Sequence, residues 1–472
     1  MHAHINNYIA LLFIIFISWV TGFLFLSVLE LRKYGFNIYS KLSIDFAVGN
    51  GIITMTLFLI SVIIGHFNYY ILYTFIGLLS VIYIIKYIWY KPEKKQQVLN
   101  KQFLFPSLSN VLFFVFSAFI VILTVWYFYG QSSLGWDANF IYFFKSKMFF
   151  LENRVSPAFL LNKSYQFSHP DYPLLISIQA SYLYSLLGQI NIELTRLLVV
   201  SYYIAILIFV YGCFYTTKLR YLPILVVIVF LTQRGIRYEA FDAIDEIPLI
   251  LYLLIGTVFY YFYLFRSDLH YLVLSGIMLG IGAWTKNEGL AYFVSVLIGV
   301  AVGTLFYLKK DILVTYRNVL LYLFSGIFFI LPWWLFKYKY HILSSWVFQG
   351  NLGFHIDVLK LKAILIAVGK EVILDEPALI ITILVISFVL FTKIKNGYRM
   401  LMSLYLPSVI QIVLYIAAFY IQPIPITWEL STIIGTVSRI VLQIIPSILV
   451  TGLMVIFPLK HNINYEQRNS NN

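Results

Sequence analysis

The chain has 472 residues, of which 61% are hydrophobic and only 11% charged, with a mean hydropathy of +0.87. These proportions exclude a water-soluble globular protein. A net charge of +13 would suggest a nucleic-acid partner in a soluble chain, but here the basic residues are spread over loops between apolar segments, so anionic membrane lipid is the expected partner and nucleic acid is not.

Apolar windows of about 18 to 22 residues recur from Ala10 to Phe457, each long enough to cross a hydrocarbon core of about 30 Å as a helix. The runs are continuous, not alternating, which excludes a strand barrel. The expected fold is an all-α integral membrane protein: a polytopic bundle of about thirteen transmembrane helices, with an outer-face loop carrying juxtamembrane helices. The expected spans are 9–30, 44–65, 69–90, 109–129, 197–216, 221–233, 247–265, 270–286, 289–308, 319–336, 376–393, 401–420 and 437–457. Three regions follow: N-terminal helices over 1–108, a catalytic module over 109–460 with its active loop at 130–196, and a polar tail over 461–472 with no appended soluble domain.

The first run, Ile9 to Leu29, is too long for a signal-peptide core, has no basic residue before it and lacks a small-x-small cleavage site, so it is read as a retained helix. Lys and Arg collect on one side, from Arg32, Lys33 and Lys41 through Lys309 and Lys310 to Lys393 and Arg399. The positive-inside rule makes that side cytoplasmic and places 130–196 and 337–375 outside. This requires that 173–188 does not cross: it is short, opens on Pro173 and can stop at Gly188, so it is read as a juxtamembrane helix. Segment 357–373 mixes Asp357, Lys360, Lys362, Lys370 and Glu371 with apolar residues and reads as an interfacial amphipathic helix. Cys213 stands alone, so neither a disulfide nor a thiolate metal cluster is available.

The densest ionisable stretch between apolar segments runs from Gly135 to Pro173. Asp137, beside Trp136, sits just past an expected span and has two readings, a general base desolvated by its apolar neighbours or the cap of a helix over 138–150. Lys145 and Lys147 follow two residues apart, so at most one of them points at any single ligand. In His169-Pro170-Asp171-Tyr172-Pro173 two prolines stiffen a turn that holds His169, Asp171 and Tyr172 as a binding surface. A second outer loop carries Arg234, Arg237, Glu239, Asp242, Asp245 and Glu246; acidic groups so spaced can hold a divalent cation, although no fixed ligand pattern is present. Thr285-Lys286-Asn287-Glu288-Gly289 interrupts an apolar stretch with opposite charges, either as a functional pair or as a hairpin meeting water. Trp428-Glu429, Ser431 and Arg439 precede Pro446 at the last span, where an arginine can grip a phosphate bidentately.

In their order along the chain, Gly135-Trp136-Asp137-Ala138, Lys145 and Lys147, His169 through Leu175, Thr285 to Gly289, and Trp428 through Arg439 to Pro446 resemble the bacterial membrane glycosyltransferases of the C superfamily. Within that superfamily they are most similar to the branch related to protein mannosyltransferases and aminoarabinose transferases. The resemblance implies a multi-helix enzyme of the bacterial cytoplasmic membrane with its site on the outer face. It further implies a polyprenyl-phosphate sugar donor and a lipid, glycan or protein acceptor in cell-envelope synthesis. By position, the resemblance matches Asp137 to the loop aspartate that activates the acceptor or positions the substrate, His169 and Asp171 to the turn lining the same cavity, and makes Lys286, Glu288 and Arg439 candidates for holding the donor phosphate and shaping the pocket. This chain departs from the better-known members in lacking a soluble C-terminal domain and in having several helices before the active loop, which weakens any inference about the acceptor. A lipid-linked-glycan transporter or flippase is the alternative, expected to show paired broken helices or inverted repeats, neither of which is visible. A non-catalytic assembly partner would need no loop carboxylates.

Overall fold

The computed structural model describes residues 2–35, 37–89, 134–217, 219, 221–343, 358–370, 397–421 and 439–457, with scattered positions between 111 and 126. Among the described residues every regular element is a helix. The longer ones are α1 (His2–Val28), α2 (Ile38–Ile64), α3 (Tyr69–Trp89), α4 (Phe143–Glu152), α5 (Leu175–Leu187), α6 (Ile192–Tyr215), α7 (Leu222–Thr232) and α8 (Arg234–Phe241). They continue with α9 (Glu246–Arg266), α10 (Leu269–Thr285), α11 (Asn287–Val302), α12 (Ile312–Tyr340), α13 (Val358–Lys370), α14 (Gly397–Ile421) and α15 (Ile445–Ile456).

Local sequence sets several of the starts. Asn37 caps α2 reciprocally with Ser40, Asn191 accepts from Leu194 N–H at α6, and Asp311 accepts from Val314 N–H at α12. Helix α9 is the axis of the bundle: every residue from Glu246 to Leu264 is buried, with α2, α6, α10 and α15 packed around it. A helix apolar on all sides belongs in such a position. Helices α10 and α12 meet backbone to backbone, because a Cβ on Gly280 would stand 2.5 Å from the Gly326 carbonyl oxygen; small residues four apart (Gly276, Gly280) permit that approach.

The outside of the bundle is apolar. Only 17% of the apolar window of α3 and 28% of that of α12 is buried, and Tyr70, Trp89 and Leu313 stand open. Such a surface is stable in lipid and not in water, which makes this a membrane protein. Inside, polar side chains tie helices together: Asn50 accepts from Ser18 (2.8 Å) and from Gln179, Gln179 accepts from Tyr202 (2.7 Å), and Trp284 donates to Thr54 (3.1 Å).

Eight helices among the described residues are long and apolar enough to span, fewer than the thirteen expected. Two of the differences lie in helix length: α7 has 11 residues and keeps Leu225 and Val229 exposed, and α10 has 17 and is buried from Leu274 to Thr285. The expected span 376–393 lies outside the described residues, and 109–129 is described only at scattered positions. Helix α5, 13 residues starting at Leu175 and not at Pro173, is too short to cross. It is no surface helix either, since it is buried from Leu175 to Tyr184 against α2 and α4. Segment 234–241, expected as loop, is the helix α8, because Ile236, Ala240 and Phe241 fall on one buried face.

Candidate active site

Asp137 opens the loop's helical stretch. Residues Ala138–Tyr142 wind as a wide π turn that runs into α4. The Asp137 side chain makes no capping bond there, so the capping reading is set aside. Instead its Oδ2 lies 2.8 Å from Nη2 of Arg439, just ahead of α15. The same Nη2 stands 3.9 Å from Oε1 of Glu246, the first residue of α9. That oxygen accepts from Lys286 Nζ at 2.7 Å, and Lys286 Nζ is 3.4 Å from Glu288 Oε1. A continuous ionic chain therefore links Asp137, Arg439, Glu246, Lys286 and Glu288 from four separate parts of the sequence.

Lys286 owes its place to a sharp turn. It is one extended residue (φ −154°, ψ 155°) between α10 and α11, and Gly289 makes the turn possible because a Cβ there would collide with the Gly282 carbonyl. The hairpin reading of 285–289, with both charges meeting water, is corrected: Lys286 is only 4% exposed and points inward to Glu246. Burial opposes its charge, but Glu246 and Glu288 outweigh that and hold the ammonium well above its ordinary range.

The second layer is built on Lys145. Fully buried, its Nζ donates to the His169 carbonyl at 3.1 Å and lies 5.7 Å from the rings of both Tyr142 and Tyr172. Burial pulls its pKa down to about 8, against the pull of Asp171 and Asp245. His169 adopts a left-handed backbone (φ 47°) and stacks on Tyr172, with ring centroids 4.8 Å apart. Tyr172 N–H returns to the His169 carbonyl at 3.0 Å, closing a β-turn over Pro170 and the buried Asp171. Lys147 lies half-exposed on another side of α4. Trp136 is 54% exposed and leans on Phe140, which meets Phe167 edge-on, so these three rings form an aromatic lip beside Asp137.

The carboxylates at 239–246 have a different part from the expected one. Among the described residues no three His, Cys, Asp or Glu side chains are grouped to hold one metal ion, so the cation reading finds no ligand set there. Glu246 is the hub of the ionic chain. Asp245 is 1% exposed with neither carboxyl oxygen hydrogen-bonded, and Glu239 is 5% exposed with Oε2 unbonded. Burial raises both acids, Asp245 well above the carboxylate range; the Glu246 charge adds to this in each case, while Lys286 works against it. From sequence these three are read only as cation ligands, although carboxylates at the head of a long apolar helix are a recognisable signal for a functional cluster. Gly135 packs closely on the neighbouring segment: a Cβ there would stand 3.3 Å from Asp242 Oδ2 and from Ile244 Cδ1. Trp428 lies outside the described residues.

Compared with known protein families, curated proteins and solved structures, the chain matches none.

Proposed function

We propose that this chain is a membrane glycosyltransferase that moves a sugar from a polyprenyl-phosphate carrier to a lipid, glycan or protein acceptor, on the outer face of a bacterial cytoplasmic membrane. The observation that carries the reading is the ion pair of Asp137 with Arg439, inside a network that holds Lys286 against Glu246. Two cations and the N-terminal ends of α9 and α11 meet at one place, which suits a phosphate group. A loop carboxylate is already in contact with one of those cations.

The chemistry follows from that pairing. A polyprenyl phosphate is a good leaving group, so the enzyme has to align donor and acceptor, take the acceptor's proton and stabilise charge growing on the departing phosphate. A phosphate arriving at Arg439 competes with Asp137 for the guanidinium. The released carboxylate is then free to accept the acceptor's proton, beside the aromatic lip of Trp136, Phe140 and Phe167, whose faces suit a sugar ring. Lys145 contributes by fixing the His169–Tyr172 turn that lines the same side. His169, Asp171 and Tyr172 then shape the pocket, and Lys286 and Glu288 complete the phosphate end.

The test is sugar release in reconstituted vesicles, with a panel of radiolabelled polyprenyl-phosphate sugars and crude envelope as acceptor source. Wild type should consume one donor, and Asp137→Asn should lose about 100-fold or more of that rate while remaining folded and inserted. Full activity in Asp137→Asn would overturn the base assignment. If wild type consumes no donor, the same site is better read as that of a lipid-linked-glycan transporter, and lipid translocation becomes the assay.

A further inference from the structure

The ionic chain is slack at the link that joins its two cations. Arg439 and Glu246 stand 3.9 Å apart, too far for a hydrogen bond. The shorter contacts, Arg439 to Asp137 at 2.8 Å and Lys286 to Glu246 at 2.7 Å, are made by the charged groups themselves. An anion arriving at Arg439 and Lys286 competes for those same groups. Whatever fixes the spacing of the two cations in an occupied site has to act through other atoms.

Helix α14 supplies such a link. Pro407 lies inside it and has no N–H, which leaves the Ser403 carbonyl without its helical partner; Tyr260 of the axial helix α9 donates to that carbonyl at 2.9 Å. A Cβ on Gly299 of α11 would stand 2.7 Å from Cγ of Pro407, so α14 is seated against α11 at the same level. These contacts fix where the following turns of α14 lie. Four residues beyond Pro407, Gln411 donates from Nε2 to the Glu288 backbone carbonyl at 3.1 Å, and its Oε1 accepts from Ser295 of α11 at 3.3 Å. Four residues further, on the same face, Tyr415 donates to Oε1 of Gln443 at 3.0 Å. Gln411, Tyr415 and Gln443 are all buried, and Gln443 follows Arg439 by four residues in the turn that leads into α15.

We propose that Gln411 and Tyr415 are positioning residues for the two cations, one helix holding the Lys286–Glu288 turn and the Arg439–Gln443 segment at the separation an anionic ligand meets. This rests on the reading of the pocket as a phosphate site. The bonds reach Glu288 through its backbone carbonyl and not its carboxylate, and they reach the Arg439 segment through Gln443 and not the guanidinium. They join neutral groups, so a phosphate that draws Arg439 away from Asp137 leaves them in place. The ionic contacts change with the ligand, and the α14 contacts keep the spacing.

The full chain in lipid nanodiscs is titrated with two probes, a farnesyl methyl phosphodiester and the uncharged farnesyl methyl ether, each corrected for uptake by empty nanodiscs. Wild type should bind the diester more tightly than the ether. Tyr415→Phe, which removes only a hydroxyl, should weaken diester binding about five-fold, the contribution of one hydrogen bond, and leave the ether unchanged. A role in folding alone would not separate the two probes. Gln411→Met releases the Glu288 end and should show the same selective loss, so it carries the comparison even where Tyr415→Phe does not fold. Adding Tyr415→Phe to Gln443→Leu should weaken diester binding no further, because both remove the same bond. Wild-type diester affinity in either folded variant, or an equal loss for both probes, would overturn the proposal and leave the phosphate reading standing. Additive losses in the double variant would overturn the route through Gln443. A wild type that binds the diester no more tightly than the ether would overturn the proposal and the phosphate reading together.

Discussion

Replacing Lys286 by Met tests the ionic chain at its most enclosed link. The substitution keeps the length of the side chain and removes its charge. Glu246, with a side chain 0% exposed, then loses its 2.7 Å donor, while its other oxygen has no partner. The nearest remaining cation is Arg439 at 3.9 Å. Breaking a buried pair by removing one partner costs about 3–5 kcal/mol, and the residual pull of Arg439 places this case near the lower end, about 3 kcal/mol. An unfolding entropy of about 2.1 cal/mol/K per residue, over a chain of this length, converts that into a melting temperature lower by about 3 °C. Intrinsic tryptophan fluorescence of the detergent-purified full chain during a thermal ramp measures it. Adding Glu246→Gln should recover most of the loss, since the uncompensated charge is then gone. The reasoning is refuted if Lys286→Met melts at or above wild type, or if the double variant is no more stable than the single one.

Two further outcomes follow from the same site. Lys145 has a folded-state pKa depressed to about 8, below its unfolded value, so the unfolded chain binds more protons between about pH 8 and 10.5. Wild type should therefore gain up to about 3 kcal/mol relative to Lys145→Met as pH rises through that window, and the gain should be absent below it; melting both proteins from pH 7 to 10.5 checks the sign. Gly289→Val would drive a side chain into the Gly282 carbonyl, cost about 1–3 kcal/mol and shift Lys286 out of register with Glu246. Its melting temperature and its donor consumption should fall together, and a variant that loses neither would show that the turn is not what aims Lys286.

The membrane bundle was legible from composition and run length alone, because burying or lipid-exposing long apolar helices is a property of windows and not of individual partners. The helix count was not, since a run such as 221–233 or 270–286 has the same hydropathy whether lipid or protein surrounds it. Asp137, Lys145 and the His169–Tyr172 turn could be singled out because charge and paired prolines stand out locally against apolar flanks. What local sequence does not contain is the contact of Asp137 with Arg439, which joins positions near opposite ends of the chain. Lys145 shows the same limit at shorter range: its depth, and its hold on the His169 carbonyl, depend on how α4 and the turn at 169–172 pack together.

The treatment of 285–289 shows how backbone geometry decides between two readings of identical residues. A polar pentapeptide between apolar helices meets water if the connection is long enough to protrude, and is drawn into the bundle if it is not. Here the helices are joined through a single extended residue, and Gly289 lies against the Gly282 carbonyl, so there is no slack with which to expose Lys286. Its charge must then be answered from within, which requires an acid at the same depth on a neighbouring helix. Glu246, the first residue of the central helix α9, is that acid, and its other neighbour is Arg439. The buried glycine contact and the charged chain are thus two parts of one arrangement: tight packing fixes the cation, the cation bonds the axial helix's leading carboxylate, and that carboxylate lies 3.9 Å from the Arg439 nitrogen that Asp137 also reaches.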